Sequence, residues 1–406
     1  MPDWILENPE NVSDAEIVVG IPSYNEADAI AFPTEQAAIG LTRFFPGRRG
    51  VIVNCDNAST DGTKEAFFNA PCVGVPRMYV STPPGVKGKG NNFRNLFRLV
   101  TELGARAVVV VDADLKSITP KWIKNLGEPL FEDFGFVAPL YLRHKYDGTI
   151  TNNIAYPLTR CLYGRRVRQP IGGDFGFSGD LASFYLGHET WNEDVAQFGI
   201  DIWMTTLAMY HRKPITQAFL GRPKIHRPKD PAASLGPMFR QVVGTMFHLM
   251  EAFASFWKQV RRSRPTAIFG FGLGETEMPP PVNVDVEALY RKFREGADRY
   301  EAAWEQALAP ETFAKLREVG EMDQAHFEFP IPLWAHVLFD MAVAHRDRRL
   351  PREELLDSLA PLYYGRTLSF VRSTEGMALQ QAEEYVEEQC LAFEEAKPYL
   401  VQRWGD

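Results

Sequence analysis

Ala107 to Val111 reads AVVVV and breaks at once into Asp112-Ala113-Asp114. A strand-like run with no polar alternation is the mark of a strand buried on both faces. Covering two faces takes helices, and the flanking sequence supplies them. Glu16 to Ile21 (EIVVGI) is a short β-branched run ending at Pro22 and a polar turn, and Glu26 to Leu41 can carry a helix. Gly50 to Asn54 (GVIVN) runs into the turn-rich Asp56 to Gly62, and Met78 to Ser81 gives a third short strand. The glycine-rich Gly85 to Gly90 predicts a loop, and Asn91 to Leu103 a helix with Leu96, Leu99 and Val100 on one side. Alternating β and α segments on short connections predict a doubly wound, Rossmann-like, mostly parallel α/β sheet, which binds ligands at the carboxyl ends of its strands. Each polar motif in this part of the chain falls at such an end.

From about Phe131 to Arg227 the pattern is mixed, with strand-like pieces at Phe136 to Leu142 and Phe175 to Phe177 and a helix predicted over Asp201 to Tyr210. After Met278-Pro279-Pro280-Pro281 the character changes. Val284 to Leu308, Pro310 to Val319, Trp334 to His345, Arg352 to Leu359 and Glu375 to Tyr399 carry helical spacing with abundant Glu, Arg and Ala. The 406 residues, with a net charge of −8, leave room for one large domain and a smaller helical one. No stretch approaches the roughly 20 apolar residues that cross a bilayer, and the acidic Met1 to Glu16 lacks the basic-then-apolar order of an export signal. Cys55, Cys72, Cys161 and Cys390 are scattered and form no CxxC pair, so a reducing cytoplasm is the expected location, with no zinc site or disulfide framework. The acidic balance argues against a nucleic-acid partner, and the short basic cluster Arg165, Arg166, Arg168 is most simply a solvated face.

An Asp-x-Asp after a buried strand carries two carboxylates past the sheet edge, alternate residues pointing to one side. Two hard oxygen ligands suit Mg²⁺ or Mn²⁺, which neutralise a nucleotide diphosphate, although a polar strand end with a helix cap reads the same way. Asp56-Asn57-Ala58-Ser59-Thr60-Asp61-Gly62 can hydrogen-bond a base and ribose, or serve only as a strand-to-helix turn with Asp61 near the cap. Gly88-Lys89-Gly90 can present an ammonium and backbone N–H groups to a phosphate, or form a surface hairpin; the Walker spacing is absent, so no P-loop is expected. Gln169-Pro170-Ile171-Gly172-Gly173-Asp174 joins a tight turn to an acid, and Gly199-Ile200-Asp201 sets a carboxylate at a helix start, where each can also be purely structural. Lys224-Ile225-His226-Arg227 offers an imidazole able to complete a metal site with a DxD carboxylate, though a lone histidine is more often a surface residue.

In this order and at these distances, IPSYNEA, DNASTDGT, GKG, DADL, QPIGGD, GID and IHR resemble the retaining GT-A glycosyltransferases that make glucosyl-3-phosphoglycerate and mannosylglycerate, over roughly Ile17 to Phe247. The stretches around Phe327 to His345 and Glu353 to Ser373 are similar, more loosely, to the helical end of the mannosylglycerate-forming members. The resemblance implies a GT-A catalytic domain over residues 1–275 followed by a mainly α-helical domain over 276–406. It implies a divalent ion, Mg²⁺ or Mn²⁺, on Asp114 and His226 with Asp112 beside them. A nucleotide sugar, UDP- or GDP-hexose, would be lined by Pro22, Glu26, Asp56, Lys89, Asp112, Ala113, Gly172 and Gly173. Asp201, Asp174 and Lys89 would carry the catalysis. A homodimer or higher homo-oligomer is expected, with the helical third building its interface, closing over the acceptor, or both.

The departures shape the expected acceptor. Members that use phosphoglycerate grip its phosphate with a Gly-Arg-x-Thr segment, and the stretch here reads Gly148-Thr149-Ile150-Thr151. An asparagine that follows the His-Arg pair in those enzymes is replaced by Pro228. Charge-assisted pairs are the strong ones, so losing a bidentate guanidinium from a dianion site should cost much of the affinity. Free D-glycerate, a small hydroxy acid met by Thr149, Thr151, Arg143 and Asp174, is therefore the expected acceptor, with Arg143 and Lys145 near enough in sequence to replace the missing charge. The expected reaction transfers glucose or mannose with retention by front-face attack, Asp201 and Asp174 orienting sugar and acceptor. A 3-phosphoglycerate-using synthase and a non-catalytic nucleotide-sugar-binding module are the alternatives.

Overall fold

The computed structural model describes residues 4–225, 231–270 and 277–405, with the backbone alone for 231–235. Two compact units interleave along the chain: Met1–Leu142, Val167–Lys229 and Thr266–Pro279 form one, and Arg143–Arg166, Asp230–Pro265 and Pro280–Asp406 the other. The change of composition at the proline run thus marks only part of the division, since 143–166 and 230–265 go with the C-terminal helices.

The first unit is built on one sheet of β1 (Ile5–Glu7), β2 (Ile17–Ser23), β3 (Gly50–Asp56), β4 (Arg77–Ser81), β5 (Ala107–Val110), β6 (Phe136–Leu140), β7 (Phe175–Ser178), β8 (Ile215–Phe219) and β9 (Ala267–Phe269). Their order across the sheet is β1-β4-β3-β2-β5-β7-β6-β8-β9. β4, β3, β2 and β5 run parallel, as do β6, β8 and β9; β7 is antiparallel to β5 and β6, and β1 to β4. This is the mostly parallel sheet that the apolar runs predict. β5, the AVVVV strand, lies between β2 and β7 with every strand residue buried.

Helices α1 (Ala31–Phe44), α2 (Thr63–Asn69), α3 (Lys89–Glu102) and α4 (Pro120–Gly127) belong to this unit, as do α6 (Gly179–Leu186) and α7 (Ile200–Tyr210). Ala37 and Leu41 of α1 and Trp122, Ile123 and Leu126 of α4 share one core with Ile17, Val19 and Val109 of the sheet. Each such buried large side chain contributes roughly 1.5–3 kcal/mol relative to exposure. On the other face Phe97 of α3 packs edge-on against Phe177 with ring centroids 5.7 Å apart. α3 starts at Lys89, two residues before the position that the glycine-rich stretch predicts, because Gly88, at φ 125°, already serves as its N-cap.

The second unit gathers α5 (Tyr156–Tyr163), α8 (Pro231–Ala252), α9 (Ala254–Trp257), α10 (Val286–Ala307), α11 (Pro310–Glu321), α12 (Ile331–Arg346), α13 (Arg352–Thr374) and α14 (Leu379–Trp404). α10 and α13 meet through glycine notches: a Cβ on Gly296 would overlap Pro361, and one on Gly365 would stand 2.7 Å from Phe293 Cδ2. Arg160 of α5 is wholly buried and is held by Glu387 at 2.6 Å and Glu394 at 2.7 Å on α14, which offsets the cost of burying its charge. No helix among the described residues is long and apolar enough to cross a membrane.

Candidate active site

The carboxyl ends of the parallel strands share one sheet edge, and β2 and β3 finish there in register at Ser23 and Asp56. Asp56 is fully buried. Its Oδ1 accepts from Ser23 Oγ at 2.7 Å and Ser59 Oγ at 2.6 Å, and its Oδ2 from the Ser59 N–H at 2.7 Å and Tyr79 OH at 2.9 Å. A carboxylate offers about four acceptor sites, and all are engaged within the protein. These bonds fix Asp56 at the strand end, beside Ser23 of β2. Pro22 is buried in β2, and the Glu26 N–H donates to Thr63 Oγ1 at 2.9 Å, pinning the loop after β2 to the start of α2. Asp61 lies next to the N-cap, Gly62, as expected of it, and accepts from the Thr63 N–H at 3.1 Å.

The Gly88-Lys89-Gly90 segment opens α3 at the same edge, so it is no hairpin. Two of its backbone donors are engaged within the chain, the N–H of Gly88 with Asn57 Oδ1 at 2.9 Å and that of Gly90 with Gln197 O at 3.1 Å, as is the next, Asn91, with Ala196 O at 3.1 Å. The two glycines admit this docking, since a Cβ on Gly88 would overlap Ala196 O and one on Gly90 would overlap Val195 O. The N–H groups of Gly88 and Gly90, which the sequence offers to a phosphate, thus hold the segment to Asn57 and to the Ala196-Gln197 stretch. What the segment turns to the site is the Lys89 ammonium.

Lys89 Nζ stands 3.1 Å from Asp201 Oδ2 at the first turn of α7 and 3.2 Å from Asp112 Oδ1 just beyond β5. Asp112 Oδ2 lies 2.6 Å from Lys224 Nζ, which reaches Asp174 Oδ2 at 2.8 Å and Gly172 O at 2.9 Å. Asp174 Oδ1 accepts the Asp112 N–H at 3.0 Å. The result is a relay of alternating charge, Asp201, Lys89, Asp112, Lys224, Asp174, strung along the sheet edge. β7 makes it possible: running antiparallel to β5, it brings its N-terminal end, and so Asp174, beside the carboxyl end that carries Asp112. Burial works against the Lys89 ammonium, but Asp112 and then Asp201 outweigh it and hold its pKa above the ordinary lysine value. Burial likewise opposes the Lys224 charge, and Asp112 and Asp174 overcome it. Asp201 is pushed up from the usual carboxylate range by its burial, with Lys89 pulling the other way.

The structure thus brings together Lys89, Asp112, Asp174, Asp201, Gly172 and Gly173 of the expected site, and Ala113 is buried beside them in sequence. Asp174, fully buried, has both oxygens engaged by Asp112 and Lys224. Asp112 sets one oxygen against each lysine. Asp114, only 9% exposed, is the other carboxylate of the motif, of the kind that suits a hard cation. His226 and Pro228 lie outside the described residues, but Ile225 accepts from the Lys116 N–H at 2.8 Å and donates to Ser117 Oγ at 2.9 Å. Among the described residues no three His, Cys, Asp or Glu side chains gather as a ligand set. Lys224 joins this relay although the Lys224-Ile225-His226-Arg227 segment singles out its imidazole by residue type and gives its lysine no distinguishing spacing.

Arg143, Thr149 and Thr151 belong to the second unit. There a Cβ on Gly148 would stand 2.5 Å from Arg143 Nη1 and 3.7 Å from Thr151 Oγ1, and the Thr149 hydroxyl pairs with Tyr363 OH at 2.6 Å. Lys145 does not supply a spare charge. Its ammonium caps the end of α13, donating to the carbonyls of Thr374, Glu375 and Met377 at 2.6, 2.8 and 2.8 Å.

No protein-family model and no curated protein sequence matches the chain. Among solved structures it is similar to glucosyl-3-phosphoglycerate synthase from Mycobacterium tuberculosis in complex with Mn²⁺, UDP and glucosyl-3-phosphoglycerate, at 23% identity and a TM-score of 0.45 over 58% of this chain and 79% of that one. A second structure of that enzyme, with Mg²⁺ and UDP, gives 24% identity and a TM-score of 0.45 over the same shares, 58% and 79%. A further mycobacterial protein gives 24% identity and a TM-score of 0.44 over 59% of this chain and 75% of its own.

Proposed function

We propose that the chain is a retaining hexosyltransferase that moves glucose or mannose from a UDP- or GDP-hexose to D-glycerate. The observation that carries this is the state of Asp201. One of its oxygens holds Lys89, and the other, Oδ1, is buried with no hydrogen-bond partner. An unpaired buried acceptor costs roughly 1–3 kcal/mol, more for a charged group, and a hydroxyl of a bound sugar would relieve it. Lys89 complements this: an ammonium has three donors, of which Asp201 accepts one, while Asp112 pairs with its charge at 3.2 Å. A donor remains for a phosphate oxygen of the sugar nucleotide.

In the transfer, the bond between the sugar anomeric carbon and the diphosphate oxygen breaks, and a bond to an acceptor hydroxyl oxygen forms on the same face. The hydroxyl proton passes to the departing phosphate oxygen. Lys89 stabilises the charge that builds there, the largest kind of contribution such sites make. Asp201 holds the sugar while the acceptor is brought to it, so that orientation supplies the remainder. Asp114 and His226 are the residues that would hold Mg²⁺ or Mn²⁺, which when bound neutralises diphosphate charge. The anchoring of Ile225 to Lys116 and Ser117, two and three residues past Asp114, supports pairing these two positions.

Two features favour glycerate over its phosphate ester: Thr149 stands where an arginine would be needed, and all three donors of Lys145 are engaged by main-chain carbonyls. Purified protein is expected to show kcat/KM for D-glycerate at least about tenfold above that for 3-phosphoglycerate, a difference of about 1.4 kcal/mol. The opposite preference would assign the phosphorylated acceptor. Calorimetric binding of a nucleotide sugar with no turnover on either acceptor would leave a binding module.

A further inference from the structure

Lys224 takes no part in the transfer as written, yet it is the most enclosed cation of the site, its side chain 5% exposed. We propose that Lys224 is a positioning residue: it fixes Asp112 between two lysines and so sets where Lys89 stands against the departing phosphate. This rests on the hexosyltransferase proposal above.

Its three N–H donors meet three acceptors, Asp112 Oδ2 at 2.6 Å, Asp174 Oδ2 at 2.8 Å and Gly172 O at 2.9 Å. Nothing is left over for a substrate, which separates Lys224 from Lys89. The surroundings are shaped to this ammonium. Gly173 adopts φ 87°, and a Cβ there would stand 2.9 Å from Lys224 Nζ and 2.7 Å from Asp112 Oδ2. The Tyr141 ring lies 5.7 Å from Nζ, and its hydroxyl donates to the same Gly172 carbonyl that Lys224 holds. Because Asp174 also accepts the Asp112 backbone N–H, the two acids cannot drift apart when the cation is removed. Repulsion would then turn the Asp112 side chain, and Lys89 would lose the partner that sets its position on the Asp112 side. Breaking a buried pair by removing one member is strongly destabilising for this reason.

The test compares Lys224→Met, Lys224→Arg and the double variant Lys224→Met with Asp174→Asn in the full chain, using circular dichroism and melting temperature to establish folding. With nucleotide sugar and D-glycerate as substrates, Lys224→Met is expected to lose about 10²-fold in kcat, the scale of a misplaced catalytic group, with KM for the nucleotide sugar changed by less than about threefold. Lys224→Arg should regain part of kcat by bridging the two acids, and the double variant should do so by removing their repulsion. If Lys224→Met fails to fold, the double variant carries the test and should still turn over more slowly than wild type at unchanged KM. A folded variant lacking Lys224 with wild-type kcat overturns the proposal, as does a raised KM at unchanged kcat, which would make Lys224 a donor ligand. Those outcomes leave an active wild-type enzyme. A wild-type protein that transfers no hexose overturns the transferase proposal itself, and this one with it.

Discussion

Lys89→Met is expected to lower kcat by about 10²–10³-fold while the protein stays folded, because it removes the donor aimed at the charge that develops on the leaving group. Methionine keeps the length of the side chain and most of its packing, so the loss reports the ammonium. The variant also strips Asp112 and Asp201 of their shared counter-ion, and the Asp201 carboxyl, already raised by burial with Lys89 opposing, should rise further. The sign follows directly: a neutral Asp201 loses one strong acceptor for a sugar hydroxyl, so the residual activity should improve as pH rises and Asp201 ionises. Steady-state kinetics of wild type and variant from pH 6 to 9 would measure both effects. Activity within about threefold of wild type would show that Lys89 does not face the leaving group.

Asp114→Ala, or treatment of the wild type with excess chelator, is expected to remove turnover by on the order of 10³-fold or more, since charge neutralisation by a divalent ion supplies several kcal/mol. Added Mg²⁺ or Mn²⁺ should restore the chelated wild type and not the variant. Asp112→Asn makes the informative contrast. Its two oxygens serve lysines, so this variant should bind Mn²⁺ in the presence of nucleotide diphosphate as wild type does, by titration calorimetry, while losing kcat through Lys89. Equal loss of metal binding in both variants would place Asp112 on the metal.

The parts of this site that were legible in the sequence are those in which local pattern and tertiary role coincide. AVVVV followed by an acid announces a central strand and the sheet edge that carries the charge relay in one stretch. Asp201 was legible because a helix start and a carboxylate fell together. Less legible were the partners that come from distant parts of the chain. Nothing near Asp56 in sequence announces that Ser23 and Tyr79 will join Ser59 on its two oxygens. Lys145 looks like a free charge until a helix end far along the chain is found on it. Lys224 lies 50 residues from Asp174 and 112 from Asp112, with no local spacing to mark it. Among the elements, α5 escaped because it runs for only eight residues, and its Thr159 and Arg160 are buried with the rest, so no exposed polar face marks it. β8 reads ITQAF, its polar residues satisfied across strands and loops: Thr216 donates to Ala267 O, and Gln217 accepts from the Arg168 N–H.

The most direct measurement is proton NMR of the reaction between an α-linked UDP- or GDP-hexose and D-glycerate with Mg²⁺, followed from mixing to completion. The expected result is a single glycoside of glycerate with the α configuration of the donor, formed as free nucleotide diphosphate accumulates. A β-linked product would contradict the front-face transfer, and nucleotide binding without transfer to glycerate or 3-phosphoglycerate from any of these donors would contradict the hexosyltransferase itself.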